Sequence, residues 1–152
     1  MKKCTILSGK EVSEHVYSQL KTRVDSLKKI NIQPGLAAIL VGSNPASKIY
    51  IKMKTKRFHS MRMKTETFKL SVDVKESHLL ELIEKINNDP NFHGILVQLP
   101  LPKHIDSKSV INSIHPRKDV DGFHPENAGL LSIGTPRFIP CTPKGIMRML
   151  EY

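Results

Sequence analysis

The chain has no tryptophan and only two cysteines, and aromatic residues make up 5% of its 152 positions. Each scarcity excludes something. Cys4 and Cys141 lie far apart and form no metal-spacing motif, a pattern that fits free thiols in a reducing compartment. Lysines and arginines are spread along almost the whole sequence without interleaved stacking aromatics, and no nucleic-acid-binding motif occurs. The only apolar segment near the start, Cys4 to Leu7, is too short for a signal peptide, and no run is long enough to span a bilayer. These absences give the expectation of a cytoplasmic protein with neither membrane nor nucleic acid as partner. His59, His78, His93, His104, His115 and His124 show no metal-ligand spacing and read as surface or loop residues, so no metal site is expected. There is no G-x-S-x-G, no P-loop and no G-x-G-x-x-G.

What is present is a strong positive balance, +10 at neutral pH, on a length that suits one domain with a real core. Such a charge fits an anionic small molecule as well as it fits a solvated lysine-rich surface. The apolar residues fall into periodic blocks. Ser8-x-x-Glu11 reads as a capping box opening a helix along Val12, Val16, Leu20, Val24 and Leu27, ended by Asn31 and Pro34-Gly35. Leu36 to Val41 is a continuous apolar run of strand length, as in a parallel strand buried on both faces. Gly42 permits a turn, Asn44 caps, and Pro45 starts a helix to about Ser60. Lys64 to Leu70 is strand-like, and Asp73-x-x-Glu76 reads as the cap of a helix through Leu79, Leu80, Leu82, Ile83 and Ile86. A strand follows over Ile95–Val97 and Leu99, then a short helix over Ser107 to Ile114 capped by Asp106. "HPRKDVDGFHPENAG" reads as a long polar loop, and Thr142-Pro143 as the start of a last helix. The alternation α-β-α-β-α-β-α predicts an α/β layered domain with a mainly parallel sheet flanked by helices. In such sheets ligands bind at the carboxyl ends of the strands.

Several residues are placed to carry chemistry, each with a plainer reading beside it. Gln98 interrupts the apolar stretch "GILVQLPLP", where its amide is either satisfied within the core or faces a cleft at a strand end. Ser47, Tyr50 and Lys54 share one face of the helix after "GSNPAS", with Lys48, Lys52 and Lys56 on another, solvated side. On spacing alone Tyr50 and Lys54 fit an aromatic at the core edge with a snorkelling lysine. In a partly desolvated cleft, the same lysine would have a pKa lowered enough for proton transfer. Asp119 and Asp121 fit a solvated turn closed by Gly122, or a carboxylate gripping the donors of an amino-substituted ring.

Taken in order, "VGSNPASKIYIKMK", "GILVQLPLP", "HPRKDVDGFHPENAGLL" and "PCTPKGI" resemble the FolD-type bifunctional methylenetetrahydrofolate dehydrogenase/methenyltetrahydrofolate cyclohydrolases. The resemblance runs over essentially the whole chain. It implies that Lys54 is the catalytic lysine of the cyclohydrolase step, positioned by Gln98 and helped by the Ser47 hydroxyl. It implies that Tyr50 stacks on the folate ring system and that Asp121 grips the pterin nitrogens. The family uses NADP on a tetrahydrofolate substrate and is commonly dimeric. Its chains continue past this point with a Gly-rich dinucleotide domain. Residues 1–142 are therefore expected to be the folate-binding catalytic domain and 143–152 the start of a connecting helix, in a truncated chain without a cofactor-binding site. Two readings follow: a catalytic domain able at most to run the cyclohydrolase step, or a non-catalytic folate-binding or subunit-interaction remnant. One departure is local. Arg62 stands where the family often has glycine, at a helix end suited to left-handed backbone.

Overall fold

Three short runs rich in branched and apolar residues build one parallel sheet in the computed structural model, which describes residues 6–152. β1 (Gly35–Val41) lies in the middle, with β2 (Lys64–Leu70) on one side and β3 (Gly94–Val97) on the other. β1 is buried at every position, as its unbroken apolar run demands. The helices are α1 (Gly9–Lys29), α2 (Pro45–Ser60), α3 (Glu76–Asn88), α4 (Ser107–Ser113), α5 (Pro125–Ser132) and α6 (Cys141–Glu151). The expected parallel α/β layering is what forms.

Alternation along the strands divides the core in two. On one face Ala37, Ile39, Val41, Ile95 and Val97 pack with Leu79, Ile83 and Ile86 of α3 and with Val110 and Ile114 at α4. The other face is thinner: Leu36, Ala38 and Leu96, covered by Phe58 of α2 and by Val120. Beyond β3 the sheet gains a fragment of a further parallel strand. The Ile95 N–H donates to the Lys118 carbonyl at 2.7 Å, and Ile95 bridges Asp119. A Cβ on Gly94 would sit 2.5 Å from the Val120 side chain, so this close approach requires glycine.

The turn into α2 forms as its sequence indicates. Gly42 takes φ +77°, and the Asn44 side chain accepts the Ser47 N–H at 3.2 Å, with Pro45 in the first turn. Other expectations need correction. Ser8 stands at the start of α1 without a side-chain cap bond. The cap of α3 is Lys75, not Asp73: the helix starts at Glu76 itself, whose carboxylate accepts the Asp106 N–H at 2.6 Å. Asp73 instead accepts the Ser71 hydroxyl. β3 stops at Val97, before Leu99. α6 begins at Cys141, preceded by Pro140, rather than at Thr142-Pro143. The stretch read as a long polar loop contains α5, capped by His124, whose Nδ1 accepts the Glu126 N–H at 3.1 Å. Cys141 is a free, exposed thiol, and Cys4 lies outside the described residues.

Candidate functional site

The site grows from the carboxyl ends of β1 and β3. α2 leaves β1 through the Gly42–Asn44 turn, so its first residues stand over that end of the sheet. Ser47 is buried in its first turn. One helical turn on, Tyr50 stands clear with 61% of its surface exposed, and Lys54 follows half-buried. Lys48, Lys52 and Lys56 are all exposed, as their spacing indicates.

Gln98 follows β3 directly. Its N–H continues the ladder by donating to the Ile39 carbonyl at 2.9 Å, and strand alternation places its side chain on the α2 side of the sheet. Its half-buried amide donates to the Leu99 carbonyl at 2.9 Å. Among the described residues no hydrogen bond joins Gln98 to Lys54, so the pairing implied by the resemblance is not formed here.

The two aspartates part company. Asp119 is 2% exposed and is satisfied internally: its Oδ2 accepts the His124 N–H at 2.8 Å and the Asn127 Nδ2–H at 2.9 Å. Asn127, fully buried, donates also to the Pro116 carbonyl, and its Oδ1 accepts from Arg137 at 3.0 Å. Arg137 is held in turn by Glu126 at 2.7 Å. This network fixes both flanks of Asp121, which the glycine at 122, φ +70°, follows. Asp121 lines a narrow crevice with Val97, Leu99 and Phe123. Burial there pushes its carboxyl pKa above the usual range; the Lys54 ammonium works against that shift, and the Asp119 charge adds to it. Lys54 and Asp121 therefore feel each other's charge without forming an ion pair within 4.0 Å. The structure assigns Asp119 to the scaffold and leaves the Asp121 carboxyl facing the crevice.

Beside Tyr50 and Lys54 opens a groove of about 640 Å³ between α1 and α2. Its walls include two residues that sequence reading missed, Tyr17 of α1 and Arg57 of α2. Arg57 sits seven residues after Tyr50 and three after Lys54, so helical spacing alone extends the same face to it. Tyr17 carried no such signal, because its partner is distant in sequence.

Residues 7–121 match the family model of the tetrahydrofolate dehydrogenase/cyclohydrolase catalytic domain. The chain belongs to this family. The matched span contains Ser47, Tyr50, Lys54, Gln98 and Asp121. Among curated relatives, the bifunctional protein FolD of Acetivibrio thermocellus is 49% identical over 96% of this chain and 51% of its own length. That of Zymomonas mobilis is 47% identical over 100% of this chain and 52% of its own. The chain thus spans about half the length of the curated relatives it matches. Among solved structures, the bifunctional enzyme FolD of Campylobacter jejuni superimposes with a TM-score of 0.93 at 44% identity, covering 97% of this chain and 52% of that one. The Trypanosoma brucei methylenetetrahydrofolate dehydrogenase-cyclohydrolase, solved with NADP cofactor and inhibitor, gives 0.94 at 30% identity, over 99% of this chain and 52% of that one. Among the described residues no helix is long and apolar enough to cross a membrane.

Proposed function

We propose that these residues are the folate-binding, proton-transferring half of a methylenetetrahydrofolate dehydrogenase/methenyltetrahydrofolate cyclohydrolase. The observation that carries this reading is the family match over residues 7–121, which spans the half-buried Lys54 on the helix leaving the carboxyl end of the central strand, Gln98 after β3, and the partly buried Asp121. Asp121 accepts the donor N–H groups of the pterin ring, Tyr50 lies against the ring system, and Lys54 faces the one-carbon bridge.

In the cyclohydrolase step water adds to the cationic methenyl carbon. Lys54, as the neutral amine, takes a proton from that water. The bond from the carbon to the ring nitrogen N5 then breaks as the carbinol O–H becomes the formyl C=O and gives its proton to solvent; the proton held by Lys54 goes to N5, and 10-formyltetrahydrofolate results. Ser47 and Gln98 act through Lys54 as positioning groups, Gln98 after its amide turns from Leu99.

The dehydrogenase step requires NADP, to which a hydride passes from the methylene carbon. The described residues do not fit that cofactor. The β1–α2 turn carries a single glycine, Gly42, and Pro45 in the first turn of α2 removes one of the N–H donors a pyrophosphate would use. No hydride step is therefore assigned to these residues.

Folate binding tests the reading. Tyr50→Ala and Asp121→Asn are each expected to weaken binding of tetrahydrofolate by about tenfold, the loss of a stacked ring or a charge-assisted hydrogen bond. Unchanged affinity in both folded variants would sink the assignment.

A further inference from the structure

Two histidines bracket the segment that carries Asp121, and both meet the backbone in the same way. The dipeptide His-Pro occurs at His115-Pro116 and again at His124-Pro125. Proline has no N–H, so the first backbone donor after each histidine lies two residues on. The His115 Nδ1 accepts the Arg117 N–H at 3.1 Å, and the His124 Nδ1 accepts the Glu126 N–H at 3.1 Å. A backbone N–H can only donate. Each Nδ1 must therefore present its lone pair, and each ring must be neutral with its proton on Nε2. The main chain of both residues ties the segment down. The His115 N–H donates to Asn87 Oδ1 of α3 at 2.9 Å, and its carbonyl accepts the Lys118 N–H at 2.7 Å and the Asp119 N–H at 3.2 Å. The His124 N–H donates to Asp119 Oδ2 at 2.8 Å. Asp121 stands between these two anchored ends.

We propose that His115 and His124 are positioning residues for Asp121, that their neutral rings hold its segment in place, and that folate binding weakens when they take up a proton; this rests on the folate reading above. A proton taken from solvent at Nδ1 removes the acceptor and sets two N–H groups against each other, so the turn opens. Affinity then falls with the fraction of chains that keep Asp121 in place. Both rings can be reached by solvent, His115 being exposed and His124 half-buried. Arg117 and Lys118 follow His115 and oppose a further positive charge there, and from α3 it meets the neutral Asn87 amide. At His124 the Asp119 carboxylate favours a proton, but it already accepts from the His124 N–H and from Asn127, and Glu126 is paired with Arg137. Two other histidines make different contacts. His104 meets the Val74 carbonyl through Nε2, a bond that a protonated ring still donates. His93 accepts the Gly35 N–H at 3.1 Å, but at the amino ends of β1 and β3, the opposite end of the sheet from the candidate site.

The test is equilibrium binding of tetrahydrofolate to the full chain from about pH 7.5 to about pH 5.5, across the range where histidine titrates. A His115→Asn/His124→Asn double variant is measured beside it, with circular dichroism at each pH to confirm folding. Asparagine keeps an acceptor oxygen that does not titrate. Asp89 already closes the same turn in this chain, its Oδ1 accepting the Asn91 N–H at 2.8 Å across Pro90. Each lost neutral hydrogen bond is worth up to about fivefold, so acidification is expected to cost the unaltered chain about tenfold more affinity than the variant. At the upper pH the two are expected to agree within about twofold. The decline that the variant keeps belongs to Asp121, His93 and the ligand. Parallel pH profiles in two folded proteins would overturn the positioning role and leave the folate reading standing. A variant already about tenfold weaker at the upper pH would overturn it too, because an untitratable acceptor would not then replace the ring. Absence of binding at every pH would overturn the folate reading and the positioning role together. If the double variant does not fold, His124→Asn alone gives the same readings, with the decline shrinking or unchanged.

Discussion

Asp121 is a carboxylate kept in a place that does not suit its charge. Burial raises its pKa in the folded chain, and Lys54 offsets only part of that. A group whose pKa is higher folded than unfolded favours folding below the unfolded pKa, and this contribution is lost as pH rises through the folded value. Asp121→Asn is therefore expected to raise the melting temperature at pH 7 by more than at pH 3, where the carboxyl is protonated in both states. Thermal melts at the two pH values check this. Arg62 is a second strained residue, at φ +56°. It closes α2 in the same way that Asn31 closes α1 and Gly134 closes α5. In each case the residue after the left-handed position donates back to the start of the last turn, Met63 to the Phe58 carbonyl at 3.0 Å in α2. Asparagine and glycine tolerate that backbone; arginine does not. Arg62→Gly is expected to stabilise the chain by about 1 kcal/mol, measured by denaturant unfolding. This strain was legible in the sequence only through the resemblance, which puts glycine there. The electrostatics of Asp121 were not legible, because adjacency to Asp119 said nothing about which of the two would be buried and paired.

At the scale of elements, what the sequence made plain was whatever local chemistry decides. β1 is an unbroken apolar run and is buried throughout; α2 has its cap and its proline and begins where they say. The failures have one physical cause, polar side chains used over a distance. Glu76 was read as the partner in a local capping box, but it accepts from Asp106 on another segment. The polar residues of α5 point inward as well as outward, so no apolar stripe marks it in the sequence. Its Asn127 is completely buried and joins Pro116, Asp119 and Arg137. That network holds the segment carrying Asp121 against β3. Asn127→Leu would leave the Asp119 carboxylate and the Pro116 carbonyl short of a donor, at a cost of about 2–3 kcal/mol in denaturant unfolding. Loss of less than about 0.5 kcal/mol would show that the network is not holding the segment.

The whole molecule is asymmetric about its sheet. The face packed by α3 and α4 has a thick core, and the face under α2 a thin one. Tyr50 and Lys54 stand on α2, while Asp121 lines a crevice with Ile95, Val97 and Ile114 of the thick face. The +10 charge acts at this scale as well, as a field favourable to anionic ligands on approach. Both properties are compatible with simple folate binding, and what separates binding from catalysis is whether Lys54 moves a proton. The deciding measurement is hydrolysis of 5,10-methenyltetrahydrofolate by the purified chain beside Lys54→Met and a no-protein control, with circular dichroism on both proteins. The expected result is a rate above background that Lys54→Met returns to background without loss of fold. A folded, unaltered chain at the background rate, or a Lys54→Met variant as fast as the unaltered chain, would contradict the account.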